Sequence, residues 1–313
     1  MARSWAPGVF LIWLTGSLSS QQPTSFTGEV NLVNISALVR SSEGNLIPNL
    51  AATDFEVLED GVPQKIQFFA RESQSPLLLG LVVDVSGSQE KFLKQHDRDV
   101  EKFLQAVLKP ADQAFAVCFG NHLRIANDVT SDPQQILEGL QQFDKRMTHL
   151  PEIGPKEVRD LGTALYDAIY FSAEQKMAAS GERRRVMVVF SDGEENSSEH
   201  DLIDAIQASQ DRDILVYCIR YTDVRHGKLS ARDKYGIRAL KHIATLTGGT
   251  DFDALASNLG DVFSRISEEL HSIYQMGYVS TNSVTHDGAF RKIVIRCKQP
   301  GAIVRSKAGY FAR

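Results

Sequence analysis

Apolar and polar positions along this chain follow two different periods, and the change of period marks its organisation. Residues 28–72 read as β. In "VNISALV", Val33, Ile35, Ala37 and Val39 fall on one face, as they do in a strand with one buried side. "SSEGN" is a turn. "DFEVLEDGVPQKIQFF" sets Asp60-Gly61 between two strand-like runs, the strongest short-range hairpin signal. Pro63 predicts an edge strand or an irregular strand start, because proline cannot donate to a ladder.

From residue 76 strand-like and helix-like runs alternate. "PLLLGLVVDV" is apolar throughout and suits a strand covered on both faces. In the next run Phe92, Val100, Phe103, Leu104 and Val107 recur near helical spacing. "QAFAVCFG" predicts a second strand and "LRIANDVT" an edge strand. "DPQQILEGLQQF" predicts a helix with Asp132 as cap and Pro133 in its first turn. "TALYDAIYFSAEQKMAA" predicts another, and "RVMVVFSDG", "DILVYCIRY" and "TDFDA" are strands separated by further helices. The last helix is "LGDVFSRISEELHSIY". After residue 274, "YQMGYVS", "FRKIVIRCKQ" and "AIVRSKAGYF" return to β, with "THDG" and "QPG" as turns. No internal repeat or low-complexity tract interrupts the pattern.

The fold class expected is α/β: a doubly wound, mostly parallel sheet inserted in a β-sandwich formed by the N- and C-terminal segments. The sandwich parts are 28–72 and 275–313, and the inserted block is 76–272. Its first strand starts and its last helix ends at the same edge of the sheet, so the flanking segments become neighbours. Two separate small β pieces are the alternative, each with few strands and a thin core.

Composition narrows the function classes. The chain has 313 residues, and 34 lysines and arginines against 39 acids give a formal charge of −5. This argues against a nucleic-acid groove. The densest basic run, "GERRRVMVV", reads as a solvated strand entrance. Residues 1–20 show the order of a secretory signal, with Arg3, then "GVFLIWLTG", then "SLSSQQ". They predict a secreted, periplasmic or cell-envelope protein, with membrane attachment only if the signal stays uncleaved. Cys118, Cys218 and Cys297 lie in strand-like runs without metal spacing and read as buried free thiols.

The candidate chemistry sits where strands end. Asp84, Ser86 and Ser88 follow the first strand of the α/β block at alternate positions. Thr163 stands where a helix begins in "RDLGTALYDA", and Asp192 where a strand ends in "VVFSDGEENSS". Ligands in open α/β sheets bind beyond the carboxyl ends of the strands. Two carboxylates and three hydroxyls form an all-oxygen set suited to a hard divalent cation, Mg²⁺ or in its place Mn²⁺ or Ca²⁺, and unsuited to zinc. Taken singly, the serines could instead cap the following helix, Asp192-Gly193 could be an ordinary turn, and Thr163 a plain helix-start residue.

Asp-x-Ser-x-Ser, a later Gly-Thr and a still later Ser-Asp-Gly after an apolar strand resemble the von Willebrand factor type A domain and its metal-ion-dependent adhesion site. The likeness covers about 76–272. The flanks, "DFEVLEDGVPQKIQFF" and the closing "GYF" after "FRKIVIRC", resemble bacterial exported VWFA-related proteins of the acidobacterial type. The resemblance implies that Ser86 and Ser88 bind the metal directly and that Asp84 and Asp192 act mainly through water. Thr163 binds directly in one state and through water in another. A carboxylate of a partner protein takes the remaining position. The function expected is a non-catalytic, metal-dependent protein-binding module with no nucleic-acid partner and no small-molecule cofactor. The alternatives are an envelope module whose metal only orders loops, with Glu194, Glu195 or Glu199 as an internal acid, and a metal-dependent hydrolase. Against the last, the eight histidines are scattered and read as isolated surface residues; only His149, His200 and His226 fall near the rim. Neither serine sits in a nucleophile elbow. The segments 145–160 and 221–236, with Arg225, His226 and Lys228, are long polar connections suited to recognition.

Overall fold

A computed structural model describes residues 32–72, 75–120, 122–144, 153, 162–178, 181, 183–223, 228–282 and 288–312. The signal-like segment, His149, Arg225, His226 and most of 145–160 lie outside the described residues. The central element is a six-stranded sheet of order β10-β9-β8-β5-β6-β7, comprising β5 (Leu77–Asp84), β6 (Gln113–Phe119), β7 (Leu123–Thr130), β8 (Arg184–Ser191), β9 (Ile214–Arg220) and β10 (Asp251–Asp253). All neighbours are parallel except β7, an antiparallel edge.

The continuous apolar run of β5 is explained by cover on both sides. Leu77, Leu79, Leu81 and Val83 pack with helices α1 (Leu93–Val107), α2 (Pro133–Asp144) and α6 (Leu259–Leu270). Leu78 and Val82 pack with α3 (Leu165–Phe171), α4 (Leu202–Asp211) and α5 (Ala231–Thr247). Helix starts follow their caps. Gln134 N donates to Asp132 Oδ1 at 2.9 Å, and Asp201 and Ser230 form capping boxes at α4 and α5.

The helix expected over "TALYDAIYFSAEQKMAA" differs in one respect: past Phe171 it widens into a π turn over Ser172–Met177. Ile169, Ala173 and Met177 are four apart, and that spacing drifts around an α-helix. A wider turn keeps Ala173 and Met177 buried against the sheet, with Met177 filling the space left by Gly80.

Two four-stranded sheets come from the flanks. One has the order β13-β1-β11-β4, with β1 (Leu32–Arg40), β4 (Ile66–Glu72), β11 (Ile273–Val279) and β13 (Ile303–Ser306). The other has the order β14-β12-β2-β3, with β2 (Phe55–Glu59), β3 (Val62–Gln64), β12 (Phe290–Cys297) and β14 (Gly309–Phe311). Each sheet draws strands from both ends of the sequence. Their inner faces share a core of Ile35, Ala37, Phe55, Val57, Tyr274, Met276, Tyr278 and Ile293. Asp60 and Gly61, both at positive φ, make the β2–β3 hairpin turn, and Pro63 lies on its edge strand. The strands on either side of the inserted block are themselves paired, Ile273 opposite Glu72.

Two expectations are corrected. The triple-arginine run is not a solvated strand entrance: Arg184 is buried and donates to the carbonyls of Ser75 and Leu270, and Arg185 to those of Met177 and Arg212. These bonds tie the start of β8 to neighbouring segments, a use that a run of like charges does not reveal. Cys118 and Cys218 are buried free thiols, but Cys297 is only half-buried, at the end of β12.

Candidate metal centre

The chain runs β5 to β6 to β7 in one direction across the sheet, then β8 to β9 to β10 in the other. The switch point lies between β5 and β8, the place where ligands bind beyond the carboxyl ends of open α/β sheets. Asp84 ends β5 and Ser191-Asp192 ends β8 beside it, since Val83 pairs with Phe190. Two site residues thus come together through sheet register alone.

Asp84 is fully buried. Its Oδ1 accepts Ser86 N at 2.9 Å and its Oδ2 accepts Ser191 Oγ at 2.6 Å. Asp192, nearly buried, accepts Glu194 N on Oδ1 at 2.9 Å and Gln89 Nε2 on Oδ2 at 2.6 Å. Every one of these donors is neutral, and among the described residues no cationic side chain pairs with either carboxylate. Burial, and next the charge of Asp192, push the Asp84 carboxyl up to about 7.

Ser86 and Ser88 bring their hydroxyls within 3.2 Å of each other, Ser86 nearly buried and Ser88 exposed. Neither caps a helix: a 3-10 turn at Glu90–Phe92 precedes α1, its N-cap is Gln89, and no side-chain cap bond forms at either start. The capping alternative therefore fails. Thr163 is buried and precedes Ala164, the N-cap of α3. Its N–H donates to Asn196 Oδ1 at 2.8 Å and its carbonyl accepts Asn196 N at 3.2 Å, which ties it to the loop that Asp192 opens.

Sequence reasoning did not find the residues that hold these loops. Gln89 is fully buried between Asp192 and the Tyr221 carbonyl, at 2.6 and 3.3 Å. Glu195 is engaged by its own loop and by the start of α3. Its carboxylate accepts the N–H groups of Ser197, Ser198 and Tyr166 and the Ser198 hydroxyl, all at 2.7–3.1 Å. Asp167 accepts Glu199 N, His200 N and His200 Nδ1, and His200 stacks on Tyr170 at 3.7 Å. His200 is therefore not an isolated surface residue. Nor is His96, which is buried on α1 against Tyr221 and has its pKa pushed down by burial to about 4. The density of Ser, Asn and Glu in "GEENSSEH" was the available signal for a self-bonded loop; Gln89 had none.

The donor set fits a hard cation. It is all oxygen, two of its hydroxyls are adjacent, and its two carboxylates repel one another with no cationic side chain paired to either among the described residues. Ser86, Ser88 and Thr163 would supply neutral oxygens, with Asp84 and Asp192 behind them. Such an ion would leave positive charge facing outward, able to attract an external carboxylate.

Comparison with known proteins decides the family. Residues 79–247 match the family model of the von Willebrand factor type A domain. The chain belongs to that family. VWA domains mediate protein–protein interactions, and this chain carries one such interaction module. No curated protein sequence matches it significantly. Solved structures similar to it include an aerotolerance-related membrane protein from Bacteroides fragilis, at 19% identity over 62% of this chain and 98% of that one, TM-score 0.48. The conserved hypothetical protein BatB from Bacteroides thetaiotaomicron is 15% identical over 62% and 97%, TM-score 0.45. Human COPII-coat protein Sec24c is 11% identical over 76% and 44%, TM-score 0.43. Among the described residues no helix of the VWA block or its flanks is long and apolar enough to cross a membrane.

Proposed function

We propose that this VWA protein is an exported, non-catalytic binding module. It holds a divalent cation, Mg²⁺ foremost, through Ser86, Ser88 and Thr163 with Asp84 and Asp192 behind them, and through that ion it engages an Asp or Glu carboxylate of a protein partner. The observation that carries this reading is the pair of buried carboxylates from two different strand ends, bonded among the described residues to neutral donors, beside two hydroxyls 3.2 Å apart. Uncompensated buried charge is costly, and a cation removes the cost.

The reading in which metal merely orders loops is less economical. Asn196, Glu195 and Asp167 already fasten the Thr163 and 192–200 segments with side-chain hydrogen bonds. A hydrolase would require a base at the rim; among the described histidines His96 is packed in the interior, and His200, held by Asp167 and stacked on Tyr170, makes no hydrogen bond to Asp84, Ser86, Ser88, Thr163 or Asp192.

Calorimetry with Mg²⁺ tests the site. Wild type should give a saturable heat that Asp84→Ala and Ser86→Ala lose; equal heats in all three would reject it. Capture of partners from envelope extract with and without EDTA tests the bridge, since an EDTA-insensitive partner set would return the structural reading. Metal-dependent turnover of ester, phosphate or peptide substrates that disappears in Asp84→Ala would revive the enzyme reading.

A further inference from the structure

Gln89 follows directly after Asp84-x-Ser86-x-Ser88, and its side chain is fully buried. A buried glutamine needs partners for both halves of its amide. Here Nε2 is well used, at 2.6 Å from Asp192 Oδ2 and 3.3 Å from the Tyr221 carbonyl, whereas Oε1 has no partner among the described residues. The amide cannot be turned over, because both groups that it faces are acceptors. A buried oxygen without a partner is destabilising, a cost that an apolar residue of the same length avoids. Packing alone therefore does not explain an amide at this position. What Nε2 does for Asp192 explains it.

Both oxygens of Asp192 are already occupied by donors, Oδ1 by Glu194 N and Oδ2 by Gln89 Nε2. Only the second is a side chain that substitution can remove. We infer that Gln89 is a positioning residue that pins the Asp192 carboxylate, so that this acid serves a bound cation through water instead of ligating it directly. The inference rests on the metal-binding reading above. Its consequence is chemical: an ion contacted mainly by neutral hydroxyls keeps more of its charge for an incoming carboxylate than one that an aspartate ligates directly. Gln89 would thereby set how strongly the module attracts an acidic partner without touching either the ion or the partner.

Terbium(III) is the probe, since it seeks the same oxygen ligands and its luminescence lifetimes in H₂O and D₂O count the water molecules bound to it. Wild type should bind Tb³⁺ in a form that Mg²⁺ displaces. Gln89→Met, which keeps length and burial but has no donor, should retain about one fewer bound water, because the freed aspartate replaces it. Mg²⁺ should displace Tb³⁺ from this variant at severalfold different concentrations from wild type. Gln89→Asn, too short to reach Asp192, should lose the same water and guards against a folding failure of the first variant. An unchanged or larger water count in the folded variants overturns the role of Gln89 while leaving the metal site intact. Absence of Mg²⁺-displaceable Tb³⁺ in wild type removes the metal reading, and this inference with it.

Discussion

At the scale of single residues, Asp84 is, with His96, one of two buried groups among the described residues that titrate abnormally between about pH 4 and 7. Its carboxyl is held near 7 by burial and by the charge of Asp192, far above the ordinary carboxylate range. The sign follows from proton counting. Between about pH 4 and 7 the folded protein keeps a proton on Asp84 that the unfolded chain releases, so the contribution of Asp84 to stability falls as pH rises through that window and levels off above it. Buried His96, pushed down to about 4, works in the opposite sense, because between about pH 4 and 6.5 the unfolded chain binds a proton that the folded protein does not. Complete ionisation of Asp84 would cost on the order of 4 kcal/mol at most, taking about 1.4 kcal/mol per unit. Asp84→Asn should shift the pH dependence in urea denaturation towards stability that rises between about pH 4 and 7, leaving the opposing His96 contribution, and saturating Mg²⁺ should move wild type the same way. A pH dependence unchanged between wild type and Asp84→Asn would assign the titration elsewhere. The acid itself was legible in the sequence, because an apolar run ending in Asp-x-Ser-x-Ser is a pattern of residue types. Its environment was not: Ser191, Gln89 and Asn196 reach the site only through strand register and loop closure, which separate positions in the chain do not encode locally.

At the scale of elements, helix α5 is seated on the backbone of the site. A Cβ at Gly236 would lie 2.5 Å from the Asp192 carbonyl oxygen and 2.9 Å from the Gly193 carbonyl carbon, and Gly193 is itself at φ +80°. Two glycines thus let a helix approach the turn that carries Asp192 more closely than side chains permit. Gly236→Ala should destabilise the protein by about 1–3 kcal/mol, although alanine favours helices, because backbone must shift to admit the methyl group. Mg²⁺ affinity should fall with it, as Asp192 moves with that backbone. Stabilisation by Gly236→Ala in thermal melting would contradict the packing. Most elements were legible from period alone, β5 from its unbroken apolar run and α2 from Asp132-Pro133. The π turn after Phe171 was not, since its cause is the fit of Ala173 and Met177 against the sheet and no local residue preference announces it.

At the scale of the whole described molecule, the sandwich and the VWA block are joined by charge as well as by chain. The change of period at residues 76 and 274 exposed the insertion, but which strand joins which sheet could not be read, because β1, β4, β11 and β13 are brought together across more than two hundred residues. Glu269, near the end of α6, is fully buried. It receives Arg40 of β1 at 3.0 Å, Arg305 of β13 at 2.5 and 3.2 Å, Arg265 of its own helix at 3.2 Å, and the Tyr217 hydroxyl of β9 at 3.0 Å. Burial alone would raise its carboxyl; the charge of Arg305, with bonds from Arg305, Arg40 and Arg265, outweighs burial and holds it below the usual range. One carboxylate thus fastens two sandwich strands to the last helix and to a strand of the central sheet. Removing it leaves Arg305, mostly buried, facing Tyr217 and Thr250 without a counter-charge. Glu269→Ala should therefore cost roughly 3–5 kcal/mol, the range for breaking a buried ion pair from one side. Replacing the partner as well, Glu269→Met with Arg305→Met, should recover part of that loss, because no buried charge is then stranded at this pair. Chemical denaturation of Glu269→Met, Arg305→Met and the double variant measures the coupling, and strictly additive losses would show that Glu269 and Arg305 do not act as one fastening.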